Sequence, residues 1–309
     1  MMTGNNLPKR GGVLRRVGRN LRRGWIVLKQ SRQQELPTRY VLAQILFRLK
    51  LNERMTFEYF GARFRLFNTT VSQAMFYNPS RCNGARDMCF LRKLVRAGDT
   101  IVDIGANVGS HAIPLAKALG TTSPVYAFEP HPRTFAYLQA NAALNQLPNL
   151  HLYNFALGES EGEVAFTDEK SDDLNRVSTH GSGAIIVPVK PLDSIECLDQ
   201  AAITLLKVDV EGYELFVLRG ASKALQRTEF IFLEANTRYS QEFGTTVQDL
   251  AGYLHAQNWT LYRVSDPQTL VELPEAPHVD GCENWLATRD VALLRERLEG
   301  QGVQLQQVS

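Results

Sequence analysis

The sequence predicts an α/β protein whose core is a doubly wound, mostly parallel sheet. An apolar run at 101–104 is followed by Gly105 and Gly109 and then by a helical pattern of apolar residues. This succession is typical of a buried strand, a tight glycine loop and a helix. Three further apolar runs are each followed directly by an acidic residue: 124–128, 203–208 and 230–233. Acidic residues in these places indicate polar groups at the carboxyl ends of parallel strands.

Elements before the glycine loop form an N-terminal extension. Pro37 is well placed to open a helix over 38–52, which has an apolar stripe. Alternating apolar residues around Gly61 predict a β-hairpin over 57–66, and a second helix is predicted over 87–96. We therefore divide the chain into a basic tail, an extension and a main domain: 1–36, 37–97 and 98–309.

Elements after the loop follow the same periodicities. A helix is predicted over 133–145, a strand over 150–156 and a hairpin-like insertion over 163–189. Two later helices are predicted over 214–226 and 247–257, the second capped by Thr246, and two antiparallel strands over 259–264 and 285–288.

The glycine loop and the next strand predict a nucleotide-like ligand. Glycines allow sharp turns and close approach of a ligand, and ligands of such sheets bind outside the carboxyl ends of the strands. Glu129, at the end of the second strand, is placed to accept the two hydroxyls of a ribose. The loop has the spacing G-x-N-x-G, with Asn107 between the glycines, rather than the dinucleotide spacing G-x-G-x-x-G. That spacing fits an adenosyl ligand without a pyrophosphate better than NAD.

Charged residues gather at the ends of the fourth and fifth strands. Lys207, Asp209 and Glu211 recur with period two, so they point the same way if the chain stays extended, and Glu234 ends the next strand. Such charges are costly in an apolar stretch unless they have a partner or a purpose. We favour an acceptor site over a structural ion-pair cluster. A divalent cation is compatible with the carboxylates but is not predicted.

Together these segments resemble the FkbM family of S-adenosylmethionine-dependent methyltransferases. The resemblance rests on Asp103-Ile-Gly105-Ala-Asn107-Val-Gly109, on Phe128-Glu129-Pro130, and on the block from Lys207 to Ala221. It implies a class I methyltransferase (Rossmann-like) fold with a mostly parallel seven-stranded sheet and helices on both faces. It also implies S-adenosylmethionine as the cofactor and O-methylation of a hydroxyl on a sugar, glycolipid or secondary metabolite.

Residue roles follow from the resemblance and from strand phase. Gly105, Asn107 and Gly109 are expected to hold the methionine part of the cofactor, with Asp103 near its amino group and Glu129 on the ribose. An alcohol is a weak nucleophile, so a base helps methyl transfer. The candidates for this base are, in order, Asp209, then Glu211 and Glu234, then His111 and His180. Lys207 is expected to neutralise a carboxylate or steady the acceptor.

Two other classes of protein remain as alternatives. One is a nicotinamide-dependent oxidoreductase, against which the missing third glycine argues; the other is a non-catalytic S-adenosylmethionine-binding scaffold. No nucleic acid partner is expected, because amino-methylating enzymes commonly carry [DN]-P-P-[FYW] where this chain has Asp209-Val-Glu211-Gly212.

Charge is distributed unevenly along the chain. The net charge is +2, but residues 1–50 hold 12 Lys or Arg against one acid, Glu35. Its first part, residues 1–34, is either a poorly ordered basic tail or a short basic amphipathic segment for an anionic membrane or an acidic partner. The four cysteines lack metal-type spacing, and no apolar run has the length of a membrane span or signal peptide. We expect a cytoplasmic protein, with peripheral contact at the inner face of a membrane as an option.

Overall fold

The computed structural model describes residues 24–168, 175–178 and 184–307. Its largest sheet has nine strands in this part of the chain. In spatial order they are β14 (Gln304–Gln306), β12 (Thr269–Glu272), β11 (Thr260–Asp266), β13 (Cys282–Thr288), β10 (Thr228–Asn236), β9 (Ile203–Val208), β3 (Ile101–Ile104), β4 (Val125–Phe128) and β5 (Leu150–Tyr153). Strands β10, β9, β3, β4 and β5 are parallel, and β13 runs antiparallel between β10 and β11.

Helices cover both faces of this sheet, because its strands are apolar on both sides. Within β10, Phe230 and Phe232 contact one hydrophobic cluster, whereas Ile231 and Leu233 contact a second one. The helices are α1 (Pro37–Leu49), α2 (Thr70–Tyr77), α3 (Asn83–Leu94), α4 (Ala112–Leu119), α5 (Pro132–Asn145), α6 (Glu214–Arg219), α7 (Ser222–Leu225), α8 (Thr237–Glu242), α9 (Val247–His255) and α10 (Val291–Leu298). The predicted α/β fold with helices on both faces is therefore confirmed. Among the described helices, none is both long and apolar enough to cross a bilayer.

Several elements differ from the sequence-based prediction. The sheet gains the edge strands β12 and β14, because the chain turns back after Asp266 and pairs again with β11. The helix predicted over 214–226 is divided into α6 and α7 at Gly220, where any Cβ would overlap the carbonyl of Gly158. Helix α2 was not predicted from the sequence; its cap is Thr69, whose side chain accepts from the Ser72 N–H.

The insertion forms a small sheet of its own. Strands β6 (Ala156–Leu157), β8 (Ala184–Lys190) and β7 (Gly162–Thr167) lie side by side in that order. Strands β7 and β8 pair antiparallel, as the predicted hairpin requires. The strand predicted over 150–156 is interrupted after Tyr153, because Ala156 and Leu157 leave the large sheet and pair with β8.

The N-terminal extension packs directly on the main sheet. Its hairpin, β1 (Thr56–Tyr59) and β2 (Ala62–Arg65), places Phe64 in the same hydrophobic cluster as Leu115 of α4 and Phe232 of β10. Asn141 of α5 accepts from the Arg65 N–H at 2.9 Å. The extension thereby forms one wall of the space above the carboxyl ends of the strands.

Candidate active site

The site lies where the strand order reverses. Strand β3 pairs with β4 on one side and with β9 on the other, so the loops that leave β3 and β9 diverge and open a crevice. The loop after β3 begins at Gly105, and the loop after β9 begins at Asp209. A Cβ at Gly105 would overlap the carbonyl oxygen of Asp209, so only glycine allows the two loops to approach this closely.

The first loop depends on three residues with positive φ. Gly105, Asn107 and Gly109 have φ of +81°, +51° and +89°. Asparagine tolerates this region because its short side chain bonds to the local backbone, and Asn107 Oδ1 accepts from the Val108 N–H at 2.7 Å. The N–H groups of Asn107, Val108 and Gly109 are all bonded within the protein. The loop therefore offers a ligand close approach, and these three N–H groups are not free donors.

Glu129 connects this loop to the end of β4. Its Oε2 accepts from the Asn107 N–H at 3.0 Å, and its Oε1 accepts from the His131 N–H at 2.8 Å. The side chain is buried, and it lines the cavity described below. Each carboxylate oxygen has a second lone pair, so the same group can brace the loop and accept from a ligand hydroxyl.

Lys207 lies beneath the site as a buried cation. Its Nζ is 3.2 Å from Asp103 Oδ1 and 3.2 Å from Asp209 Oδ2, although only the contact with Asp209 has hydrogen-bond geometry. Burial by itself would lower the pKa of Lys207, but the two carboxylates raise that pKa above its ordinary value. Asp103 is fully buried against Lys207 and is not among the residues that line the cavity.

Three carboxylates form a cluster on the opposite side of the crevice. Asp209, Glu211 and Glu234 each offer an oxygen within 4.8 Å of the others. Burial, followed by the neighbouring acids, raises the pKa of Glu211 to about 9 and that of Glu234 to about 7. The distances between the three carboxylate oxygens allow either protons shared between the carboxyl groups or a divalent cation bound by them.

The backbone after β9 is held by a buried acid. Glu211 and Gly212 have φ of +55° and +96°. Glu214 Oε1 accepts from the N–H groups of Val210 and Gly212, both at 3.1 Å. A Cβ on Gly212 would lie 2.5 Å from the Tyr239 carbonyl carbon. The Glu-Gly-Tyr-Glu segment therefore fixes a sharp turn that presents Glu211 to the cavity.

Asp87 and Asn284 also reach the site, and neither was predicted as a site residue from the sequence. Asp87 lies on α3 of the extension, and its Oδ1 accepts from Asn284 Nδ2 at 2.8 Å. Its Oδ2 is 3.9 Å from His111 Nε2. Burial, and then the charge of Asp209, raises the pKa of Asp87 to about 7, whereas burial, and then Lys207, lowers the pKa of His111 to about 3. His111 is therefore a neutral imidazole beside the carboxylates, while His180 lies outside the described residues.

These groups surround a cavity of about 830 Å³, which is within the range of small-ligand pockets. Seven of the predicted site residues line it: Gly105, Asn107, His111, Glu129, Asp209, Glu211 and Glu234. Asp103, Gly109 and Lys207 are not among its lining residues and support it from below. At Gly109 a Cβ would lie 2.5 Å from Ile113 Cδ1, so this glycine is needed for packing of the loop on α4.

Fold and site together have the arrangement of the class I methyltransferase fold that the resemblance implied: a mostly parallel sheet with helices on both faces, a glycine loop after β3 and an acid after β4. The sheet has nine strands in the described part of the chain rather than the expected seven. The protein-family model "Methyltransferase FkbM domain" matches residues 103–260, which are 158 of the 309 residues. The chain belongs to the FkbM methyltransferase family, and S-adenosylmethionine is its cofactor.

Two curated proteins and one solved structure illustrate the similarity. The hexuronic acid methyltransferase AglP of Haloferax volcanii is 32% identical over 142 residues, which cover 44% of this chain and 55% of that protein. Methyltransferase 1 of Beauveria bassiana is 29% identical over 143 residues, which cover 39% and 57%. The chain thus spans little more than half the length of these curated relatives. An rRNA methylase from Streptococcus thermophilus aligns with a TM-score of 0.39 at 13% identity, covering 67% of this chain and 96% of that chain.

Proposed function

We propose that the chain transfers a methyl group from S-adenosylmethionine to a hydroxyl oxygen of a carbohydrate or a related small molecule. The observation that carries this proposal is the position of Asp209. Its carboxylate lines the same cavity as Glu129 and is held by Lys207 at 3.2 Å. A charged acceptor of protons therefore lies in the cavity that the cofactor-binding loop also lines.

Cofactor binding is assigned to the β3 and β4 side of the cavity. Glu129 would accept the ribose hydroxyls, and Gly105 and Asn107 would allow the methionine part to lie against the backbone. The cofactor supplies a methyl carbon made electrophilic by its bond to a positively charged sulfur. The task of the protein is then to align the acceptor oxygen with that carbon and to exclude water.

Asp209 is the proposed base. As the new carbon–oxygen bond forms, Asp209 takes the hydroxyl proton, and the electron pair of the broken carbon–sulfur bond remains on sulfur. Lys207 supports this role because its ammonium group, 3.2 Å from Asp209 Oδ2, holds the carboxylate in position. Glu211, with a pKa of about 9, holds its own proton at neutral pH and is suited to orient the acceptor. Glu234, with a pKa of about 7, is the alternative base.

A sugar acid is the first acceptor to test. The support is the similarity to a protein named as a hexuronic acid methyltransferase, together with a cavity of about 830 Å³ that both Glu129 and Asp209 line. Free hexuronic acids, their glycosides and neutral hexoses would be assayed with methyl-labelled S-adenosylmethionine. Transfer to a hydroxyl, located by NMR of the product, would support the proposal. Methyl ester formation at the carboxylate would contradict it.

Separate variants distinguish binding from chemistry. Asp209→Asn is expected to keep cofactor affinity in calorimetry and to lose about 10²–10⁴ in kcat, the usual contribution of a general base. Glu234→Gln is the matched comparison, because it neutralises a second acid of the same cluster. If Glu234→Gln loses more activity than Asp209→Asn, the base is Glu234. If wild type binds the cofactor and methylates no hydroxyl acceptor, the non-catalytic scaffold is the better description.

A bound cation is the second candidate role of the cluster. The three oxygens within 4.8 Å favour it as a specific alternative to shared protons. Dialysis against EDTA, followed by addition of Mg²⁺, Mn²⁺ or Ca²⁺, separates the two roles. Activity that is lost on dialysis and restored by one ion would assign the cluster to that ion.

A further inference from the structure

Exposed apolar side chains are concentrated at the N-terminal end of the described chain. Eight large apolar side chains are exposed among the described residues, and seven of them lie within 27 consecutive residues: Trp25, Ile26, Leu28, Leu42, Ile45, Leu49 and Leu51. The eighth, Ile186, stands alone on β8. Single exposed apolar residues are normal on proteins, but a concentration of them marks a surface that contacts something.

Helix α1 shows how this surface is built. Leu42, Ile45 and Leu49 recur at i, i+3 and i+7, so they share one face of the helix, and 38%, 51% and 58% of each is exposed. The other side of α1 is already packed, because Ala43 is buried and Tyr40 meets Tyr77 of α2 edge-to-face at 5.1 Å. The exposed stripe is therefore a second apolar face, which the folding of this domain does not require.

Basic side chains flank the stripe. On the helical wheel of α1, Arg39 lies on one side of it and Arg48 on the other. Residues 24–54 contain six basic residues, Lys29, Arg32, Arg39, Arg48, Lys50 and Arg54, against two acids, Glu35 and Glu53. The sequence before them, residues 1–23, adds seven Lys or Arg and no acid. Apolar and positively charged groups thus occur together on one segment of a chain whose remainder is acidic.

We propose that this segment, residues 25–51, is a docking surface for an anionic lipid bilayer. Apolar side chains would enter the boundary between headgroups and acyl chains, and the basic side chains would bind the headgroups, as in interfacial helices. A second copy of the chain is disfavoured, because it would bring two strongly basic segments against each other. A nucleic acid would account for the charge and leave the apolar stripe unexplained.

The docking surface is one helix away from the cavity. Helix α2 packs against α1 on one side, while its Thr70, Ala74 and Met75 line the cavity on the other. Asn78, which follows α2 and also lines the cavity, accepts from the Glu35 N–H at 2.8 Å. Docking would therefore hold the cavity near the membrane surface, where a lipid-linked hydroxyl acceptor could enter; this last consequence rests on the proposed function, and docking itself does not.

Vesicle flotation with the full chain tests the proposal without cofactor or acceptor. The chain is expected to float with vesicles of phosphatidylcholine and phosphatidylglycerol, and to do so far less with phosphatidylcholine alone or at high salt. The triple variant Leu42→Gln, Ile45→Gln, Leu49→Gln is expected to bind the anionic vesicles at least about tenfold more weakly. Its matched control is Ile186→Gln, which removes an equally exposed apolar side chain elsewhere and is expected to bind like wild type.

Charge variants test the proposal independently. The double variant Lys29→Gln, Arg48→Gln is expected to lower the partition coefficient into anionic vesicles about fivefold per residue. The control is Lys117→Gln, which removes an exposed basic side chain of α4 and is expected to leave the partition coefficient unchanged. Calorimetry with S-adenosylmethionine on every variant shows whether the cofactor site persists, so a failure of docking is distinguishable from a failure of the methyl-transfer proposal. Equal binding to neutral and anionic vesicles, or none to either, overturns the proposal. A wild-type dimer that the triple variant converts to a monomer would overturn it too, in favour of self-association.

Discussion

Lys207 illustrates how one buried residue organises the site. It is 1% exposed and lies between Asp103, beneath the glycine loop, and Asp209, at the cavity wall. Burial of Lys207 and Asp103 is tolerated only because each has an opposite charge within contact distance, while the side chain of Asp209 is 38% exposed. Burial, and then the charge of Lys207, lowers the pKa of His111. A single cation thus connects the carboxylates at the ends of β3 and β9 and acts on the nearest histidine.

Lys207→Met is expected to destabilise the protein strongly. Removing one partner leaves the carboxylate of Asp103 buried without a counter-charge, which typically costs about 3–5 kcal/mol. Urea unfolding followed by circular dichroism measures the loss. Adding Asp103→Asn to Lys207→Met should recover part of the stability, whereas Lys117→Met on the exposed side of α4 should change it by less than about 0.5 kcal/mol. A double variant as unstable as the single one would contradict this account.

Glu129→Ala is expected to weaken cofactor binding and also to loosen the glycine loop. The side chain accepts from the half-buried N–H of Asn107 and the buried N–H of His131, so its removal takes an acceptor from both, at about 1–3 kcal/mol for the buried donor. Calorimetry with S-adenosylhomocysteine measures affinity, and urea unfolding measures stability. Glu129→Gln keeps an acceptor for one of the N–H groups and should be less damaging on both counts. Unchanged affinity in Glu129→Ala would refute the ribose assignment.

The start of helix α9 was predictable from the local sequence. Thr246 Oγ1 accepts from the Asp249 N–H at 3.1 Å, and Asp249 Oδ2 accepts from the Thr246 N–H at 2.8 Å. This reciprocal pair is a capping box, which satisfies two otherwise unpaired donors at the helix start. The divided helix α6 and α7 is the contrasting case. Its interruption at Gly220 is set by contact with Gly158 in a distant segment.

Thr246→Ala is expected to lower the free energy of unfolding by about 1 kcal/mol, the usual value of an N-cap. Amide hydrogen exchange should be faster in the first turn of α9 and unchanged in β9, because the cap acts locally. Thr246→Ser retains the hydroxyl and serves as the control. Equal stability of the alanine and serine variants would mean that the cap contributes nothing.

Across the whole molecule, acids near the cavity hold protons more tightly than acids in water do. Burial is the first cause in each case, and it raises the pKa of Asp87 and Glu234 to about 7, of Glu214 to about 8 and of Glu211 to about 9. Each of these carboxyls binds its proton more strongly in the folded chain than in the unfolded chain. Their contribution to stability is therefore fully present below the unfolded pKa of about 4 and is lost as the pH rises through the folded values.

The free energy of unfolding is accordingly expected to fall as the pH rises from about 5 to about 9. Urea unfolding at several pH values in this window measures the slope. Glu211→Gln removes the group with the highest of these pKa values, so it should flatten the slope and be more stable than wild type near pH 9, by at least about 1 kcal/mol. The exposed Glu53→Gln should keep the wild-type slope. A slope that rises with pH, or that Glu211→Gln leaves unchanged, would contradict the assignment.

The sequence by itself determined the fold class, the family, the cofactor and seven of the residues that line the cavity. These follow from local patterns: an apolar run placed Asp209 at a strand end, and the two glycines of the G-x-N-x-G loop predicted a sharp turn. Such signals are carried by neighbouring residues along the chain, because backbone conformation and side-chain direction within a strand or tight turn are local properties.

Only the tertiary structure decided which charges meet. Asp103 was expected near the cofactor, yet it pairs with Lys207 on the adjacent strand, because β3 and β9 align these two residues in register. Asp87 and Asn284 come to the cavity from segments 197 residues apart, and no local pattern encodes such an encounter. The exposure of one apolar face of α1 was likewise not predictable from the sequence. Its apolar residues have the pattern of a core-facing helix, and only the structure shows that α1 packs through the side that carries Tyr40 and Ala43.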